Sequence, residues 1–456
     1  MSTLQPLIAH YLAVSYPSAL PSFLHATGLA PPDLSRPPNP DLRTLAHDYL
    51  SSQLAKSVQA VTIDDKATDG SWDRWTGRDI SGLQLKPEVR LEKVRRNVEG
   101  ISAANLLAVI VARVPKRRFD TSTAAYICSS TLSVLIASVD KTVSILDYET
   151  GEVTNILEPH KAAVLSMAQH PVRPRYLITG SMDGTTVLTD LITQQPVQTF
   201  RSTKFVVRVA FSPCGQWLAT ASYDKHVVIY RLTSDDQPEE VLDDTDDPYL
   251  ACEPSVRYTE YRRIKVDHNP EALLFHPNSQ WLMYTTRSSH QLYYVLLGSA
   301  TDSIRTKSFN HHAYDTHVSF SVLNMALHPS GKIIACQTGD HAGNAGERIL
   351  LYGVDAEDTE RLGCIWTGSD TDDYVLPRMS WLPDGTGLIT TSPNGLLHLL
   401  SISGEIRTSL RVHGLPEEAA GAATSGIIRD CAVVNLGDTE WEVVSVGYDR
   451  VVRISR

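Results

Sequence analysis

The sequence predicts a mostly β fold, seven four-stranded sheets in a ring, preceded by a small all-α module at the N-terminus. Three observations carry that expectation: self-similarity from about residue 120 onward, a shared aspartate-led hairpin turn in the copies, and helical apolar spacing in the first thirty residues. Leu132–Asp147, Arg175–Asp190 and Gln216–Tyr230 each read as an apolar strand, a small-residue stretch, a two-residue turn led by Asp, and a second β-branched strand. Glu442–Ile454 is a fourth copy. Three degraded copies lie between: Gln280–Leu297, with Ser288-Ser-His290 at the turn; Lys332–Tyr352, with an enlarged turn holding Gly343 and Gly346; and Gly387–Ile402, with Pro393-Asn-Gly395. Turn signals precede five of these copies, at His170-Pro171, Ser212-Pro-Cys-Gly215, His276-Pro-Asn278, His328-Pro-Ser-Gly331 and Leu382-Pro-Asp-Gly385. Anchors at residues 140, 183, 224, 394 and 449, with looser ones near 289 and 346, allow one four-stranded unit each. Seven such units is a β-propeller count.

Composition supports the folded reading and removes several alternatives. Of 456 residues, 42% are hydrophobic and 20% charged, with Gly 26 and Pro 25, which is neither disordered nor fibrous. Apolar runs such as Asn105–Val114 fall far below the roughly 20 residues a membrane span requires. The N-terminus lacks the basic flank and apolar block of a secretion signal. Cys128, Cys214, Cys252, Cys336, Cys364 and Cys431 form no C-x-x-C pair, which excludes a zinc ribbon or dense disulfide scaffold. This usage fits a reducing compartment, so the expected location is intracellular, cytoplasmic or nuclear. Residues 1–115 balance to +1 and the remainder to −12, giving the net −11. An acidic body repels phosphate backbones, which argues against wholesale nucleic-acid binding. Asp235–Asp247 holds eight acids and Asp370–Asp373 three more; each is either a dock for a basic partner or a solvated loop.

From about residue 104 to the end, these copies resemble the WD-repeat family. The resemblance implies that each turn aspartate bonds a histidine ahead of the first strand and a hydroxyl four residues upstream, with a tryptophan on the third strand completing the set. Asp183 has Thr179 and His160 in those places, Asp224 has Thr220, and Asp449 has Ser445; Asp140 anchors the first copy. At the tryptophan position stand Leu146, Thr189, Tyr230 and Ser455, so the repeats are divergent. The resemblance also places partner binding on the rim around the central channel. Val139, Met182, Tyr223 and Tyr448, each just before a turn aspartate, are expected to point there. The last copy lacks one strand. Residues 105–113, a strand-like apolar run, are expected to supply it by pairing with 450–455, the alternative being a buried helix continuing from Arg90.

Residues 1–30 are expected to form a dimerisation motif. Leu7, Ile8, Tyr11, Leu12, then Tyr16, Ala19 and Phe23 give two brief helices meeting near Ser15–Pro17. About 25 residues cannot bury a core alone, so such units usually dimerise. The string resembles a LisH motif, although Leu12 to Tyr16 is one residue short and a glycine before Tyr16 is absent. A helical hairpin packed on the propeller is the alternative. Residues 31–103 read as a proline-rich linker and helices: Pro31 to Pro40, a helix from Asp41 to about Val61, a loop carrying Trp72 and Trp75, and a charged helix over Lys86–Asn97.

Catalytic spacings are missing. Ser330-Gly-Lys332 lacks the first glycine of a phosphate loop, Gly180–Gly184 is no nucleophile elbow, and Asp243–Asp247 lacks the glycine and glutamate of a calcium loop. His311, His312, Asp315 and His317 read as surface histidines rather than metal ligands. Cys214, on a predicted exposed turn, has nothing beside it to lower its pKa. The sequence therefore predicts no catalytic, cofactor or metal residues and no cofactor. It points to a dimeric scaffold binding protein partners through the rim, with a small-molecule or catalytic channel as the alternative.

Overall fold

The computed structural model describes residues 5–15, 17–35, 77–120, 125–234, 256–298, 303–310, 312, 314–339, 347–369, 375–414, 426–437 and 440–456. The chain divides into two units, Met1–Asp73 and Arg74–Arg456. In the first, helix α1 spans Gln5–Ser15 and helix α2 spans Leu20–Thr27. Pro21 is accommodated because it falls in the first turn of α2, where its missing N–H has no partner to lose. Gly28, at φ 68°, ends the helix and donates its N–H to Leu24 O at 2.9 Å. Ala9 is buried, whereas Ile8, Tyr11, Leu12 and Phe23 are half-buried and Ala19 is exposed. Tyr16, the 41–61 helix, Trp72 and Trp75 lie outside the described residues.

The second unit is a seven-bladed propeller of four-stranded antiparallel sheets. Blade one runs from Leu106 to Leu157, two from Val164 to Arg201, three from Val206 to Lys265, and four from Pro270 to Ser308. Blades five and six occupy Ser321–Trp366 and Met379–Arg411; Ile428–Ser455 supplies three strands of blade seven. Within each blade the strands are lettered a to d. The a strands of neighbouring blades touch one another and so line the channel. Apolar side chains sort into seven clusters, one between each pair of adjacent blades, so the ring is held by blade-to-blade packing rather than by one central core.

The structure corrects the ring closure. The missing d strand of blade seven is Val94–Val98, which pairs antiparallel with Val452–Ser455. Residues 105–113 lie instead within Leu106–Asp120, the a strand of blade one. Burial explains the exchange. An a strand faces neighbours on both sides, and Leu106, Val109 and Val114 are almost wholly buried. A d strand has one face to solvent and alternates in burial, as Val94-Arg-Arg-Asn-Val98 does. A continuous apolar run therefore suits only the inner place. The same strand overturns the expected 86–97 helix, and the compact unit begins at Arg74 rather than 104. Ile80 and Leu85 pack into the clusters of blades five to seven, and Arg456 N–H bonds Lys93 O at 3.0 Å.

The five proline-bearing signals form the a–b turns. In the third blade Gly215 N–H bonds Ser212 O at 2.8 Å, with Gly215 at φ 71°. A Cβ there would collide with the His170 ring of the preceding blade, so glycine is required both for the turn and for the close approach.

Candidate functional site

Each turn aspartate is satisfied by its own blade's supports, which holds the b–c turn rigid. In blade two, His160 Nε2 meets Thr179 Oγ1 at 2.8 Å and Nδ1 meets Thr185 Oγ1 at 2.8 Å; Thr185 donates to Asp183 at 2.6 Å. This order assigns the imidazole proton to Nδ1. Burial tends to raise the Asp183 carboxyl, but donors from Lys161 N and Thr185 outweigh it and hold it low. In blade one, Asp140 accepts from Ser102 Oγ at 2.6 Å, from Ser138 and from Thr142. In blade three, Asp224 accepts from Thr203 N at 3.1 Å, and Tyr230 at the tryptophan position bonds the Thr220 hydroxyl. Blade seven uses His413, whose Nδ1 lies 2.8 Å from Asp449 and Nε2 2.9 Å from Ser445 Oγ; the fully buried Arg453 also pairs with Asp449.

These turns surround the channel mouth. In five blades the residue just after strand b donates its N–H to a carbonyl at the entrance of strand a: Val139 to Asn105, Met182 to Ala163, Tyr223 to Phe205, Arg287 to Asn269 and Tyr448 to Ile427, at 2.8–3.0 Å. Val139 is 44% exposed, Met182 38% and Phe205 42%, an apolar arc on blades one to three. Tyr223 and Tyr448 are half-buried.

Inside this rim lies a charged cluster drawn from four blades. Arg208 leaves strand a of blade three, Glu271 strand a of blade four, Arg378 immediately precedes strand a of blade six, and Arg429 and Asp430 lie on strand a of blade seven. Glu271 accepts from Arg287 Nε at 2.8 Å and from the Tyr223 hydroxyl at 3.4 Å. Asp430 accepts from Val109 N and Cys431 N, each at 3.0 Å, with Arg378 Nε at 3.6 Å. Burial raises both carboxyls above their ordinary values against the pull of the arginines. Burial, reinforced by the charge of Arg208, pushes Arg378 down to about 9. Arg208 is within electrostatic reach of both Glu271 and Asp430, although blades three and seven meet only across the channel.

None of these five residues, nor His413, is among the site residues expected from the sequence. A charge within an otherwise apolar a strand, as in Val206-Val-Arg208-Val, was the available signal. Cys214 also differs from expectation: burial raises its thiol, but hydrogen bonds from Ser212, Gln216 N and Ser279 hold it below the ordinary 9.0. Among the described residues no three His, Cys, Asp or Glu converge as a metal site; His312, Asp315 and His317 are exposed. A separate cleft of about 470 Å³ lies off the axis beside blade four, where Tyr284 and Tyr293 stack at 4.9 Å.

Two segments, 151–190 and 194–231, match the family described as WD domain, G-beta repeat. Each begins at a d strand and ends at the c strand of the next blade, which is why a ring of such repeats must borrow one d strand. A relative, Protein tipD of Dictyostelium discoideum, is 26% identical over 102 residues, covering 21% of this chain and 17% of its own length. These matches and the seven blades support a WD-repeat propeller, an architecture that generally mediates protein interactions and is typically non-enzymatic. No helix among the described residues is long and apolar enough to cross a membrane.

Proposed function

We propose that the chain is a non-catalytic, intracellular scaffold that dimerises through its N-terminal helices and presents the channel mouth to protein partners within a larger assembly. The observation that carries this reading is the mouth itself. A rigid ring of hydrogen-bonded turns displays Val139, Met182 and Phe205 beside Tyr223 and Tyr448, the kind of side chains that bury large area on binding. The LisH-like hairpin supplies valency. It buries Ala9 but leaves Ile8, Tyr11, Leu12 and Phe23 half-covered, and a second copy is the occupant that fits a unit this small. Doubling the rim lets weak single contacts sum to firm capture of a repetitive partner.

The first test is solution mass by light scattering, full chain against a version lacking residues 1–30. The expected result is a dimer falling to a folded monomer. A monomer in both cases overturns the dimer.

One observation favours the alternative of a small-molecule or catalytic channel: the raised carboxyls of Glu271 and Asp430. Each, however, is held by donors on its own wall of the channel, Glu271 by Arg287 and Tyr223, Asp430 by two backbone N–H groups. The nucleophile beside Asp430 is the Cys431 thiol, and burial, reinforced by the Asp430 charge, raises that thiol and so disfavours its reactive thiolate. Binding, not turnover, is the function this arrangement serves. Met182→Asp together with Phe205→Asp is expected to abolish partner capture while the fold persists; a channel enzyme would retain turnover in that variant.

A further inference from the structure

Among the described residues, arginines outnumber carboxylates on one side of the mouth, although Arg208 feels Glu271 and Asp430 and Arg429 lies over the Tyr448 ring at 5.8 Å. Arg208, Arg378 and Arg429 converge from blades three, six and seven, and each lies within reach of another's charge. Asp430 answers Arg378 at 3.6 Å, and Glu271 is occupied by Arg287 at 2.8 Å. Arg208 spends Nη1 on its own neighbour's carbonyl, Val207 O, at 3.2 Å. Its Nη2, and Nε of Arg429, are buried and have no hydrogen-bond partner among the described residues, whereas both side chains as a whole are only half-buried and so keep part of their surface open to the channel. Unmet donors on a charged group are costly where water is excluded, and a guanidinium is shaped to give two parallel N–H groups to an oxyanion. Four arginines, counting Arg287, face two carboxylates here, in a chain whose net charge is −11.

We infer that the channel mouth receives a side-chain oxyanion, carboxylate or phosphate, carried on an extended peptide of the partner, with Arg208 and Arg429 as its forks. This rests on the mouth being the partner-binding surface and adds the chemistry of what it binds. The peptide, rather than a free anion, follows from the flank: Phe205 precedes strand a on the same blade as Arg208, and Met182 and Val139 continue the apolar arc. A segment with an acidic residue beside apolar ones matches both halves. Arg378 is the positioning residue, holding Asp430 and so the strand that presents Arg429.

The test uses the full chain against an immobilised library of short peptides bearing a central Glu, phosphoserine or Gln with randomised flanks. Anisotropy on the selected peptides and on inorganic phosphate follows. Glu- or phosphoserine-centred peptides are expected to bind and their Gln counterparts to fail, with affinity falling as salt rises. Arg208→Gln and Arg429→Gln are each expected to weaken binding about tenfold, equivalent to about 1.4 kcal/mol. Arg429→Lys, which keeps the charge and loses the fork, should fall between. Thermal melts identify any variant that fails to fold, and Arg429→Gln carries the test if Arg208→Gln does. Comparison of the Glu and phosphoserine arms identifies which oxyanion is preferred. Equal binding of Gln-centred peptides overturns the oxyanion while leaving the rim as a binding surface. Binding of phosphate with no peptide, or of neither, overturns the peptide proposal.

Discussion

Blades two and seven solve the same local problem differently. Both tie a turn aspartate to a histidine and a hydroxyl: Asp183 with His160 and Thr179, Asp449 with His413 and Ser445. In blade two the connection passes through Thr185, and His160 Nδ1 stands 3.4 Å from Asp183. In blade seven the ring nitrogen reaches Asp449 directly at 2.8 Å, and Arg453 adds a charge pair with no solvent exposure. Blade two is built from one continuous stretch, blade seven from segments about 350 residues apart. The stronger lock sits where chain connectivity contributes least. The repeat thus sets the geometry, and closure decides how much charge is invested in holding it.

The largest effect is expected from removing residues 1–98. Without Val94–Val98, strand Val452–Ser455 loses its outer partner, and the chain should aggregate or melt far below the intact protein; removing 1–73 should leave the propeller's melting curve nearly unchanged. Equal melting of both truncations would break the comparison. Next, Arg453→Met leaves Asp449 buried with one partner fewer, and urea unfolding should record a loss of about 3–5 kcal/mol. Thr185→Val in blade two is expected to cost about 1.5–3 kcal/mol, since a hydroxyl donor to the Asp183 carboxylate and its link to His160 are lost but no charge is left without a countercharge. If the two substitutions cost the same, Arg453 is not the closing lock.

The smallest effect is the share of the pH dependence that His160 contributes in blade two. Burial lowers the pKa of His160 from 6.5, against the pull of Asp183, so the unfolded chain binds the proton more readily. Its contribution to stability is complete above pH 6.5 and declines as pH falls toward the folded value. His160→Gln should flatten that part of the stability profile by less than about 1.4 kcal/mol per pH unit. An unchanged profile would remove His160 from the account.

Much of this was legible in the residues. The period and the anchors Asp183, Asp224 and Asp449 stand in plain spacing, because each hairpin is local and its turn chemistry leaves Asp and Gly where the backbone needs them. His413 was hidden by the insertion after it, which puts it 36 residues before Asp449, whereas His160 precedes Asp183 by 23. Val94–Val98 was misread because five half-polar residues carry no distinctive period, and only the ring creates the demand for them. A lone charge such as Arg208 in an apolar strand is visible in the sequence, but its grouping with the other arginines is not. Arg208, Arg378 and Arg429 become neighbours only when seven blades close, and no local pattern encodes a distance across the axis.

Closure by Val94–Val98 also sets a timetable for synthesis. That strand leaves the ribosome early and must wait for Val452–Ser455, so translation of six blades passes before its partner exists. Its two arginines and an asparagine are suited to that wait, since charge along an unpaired strand discourages premature pairing. A ribosome stalled anywhere before residue 452 would hold an open arc with two bare edges, a natural client for a chaperone and a poor target for release.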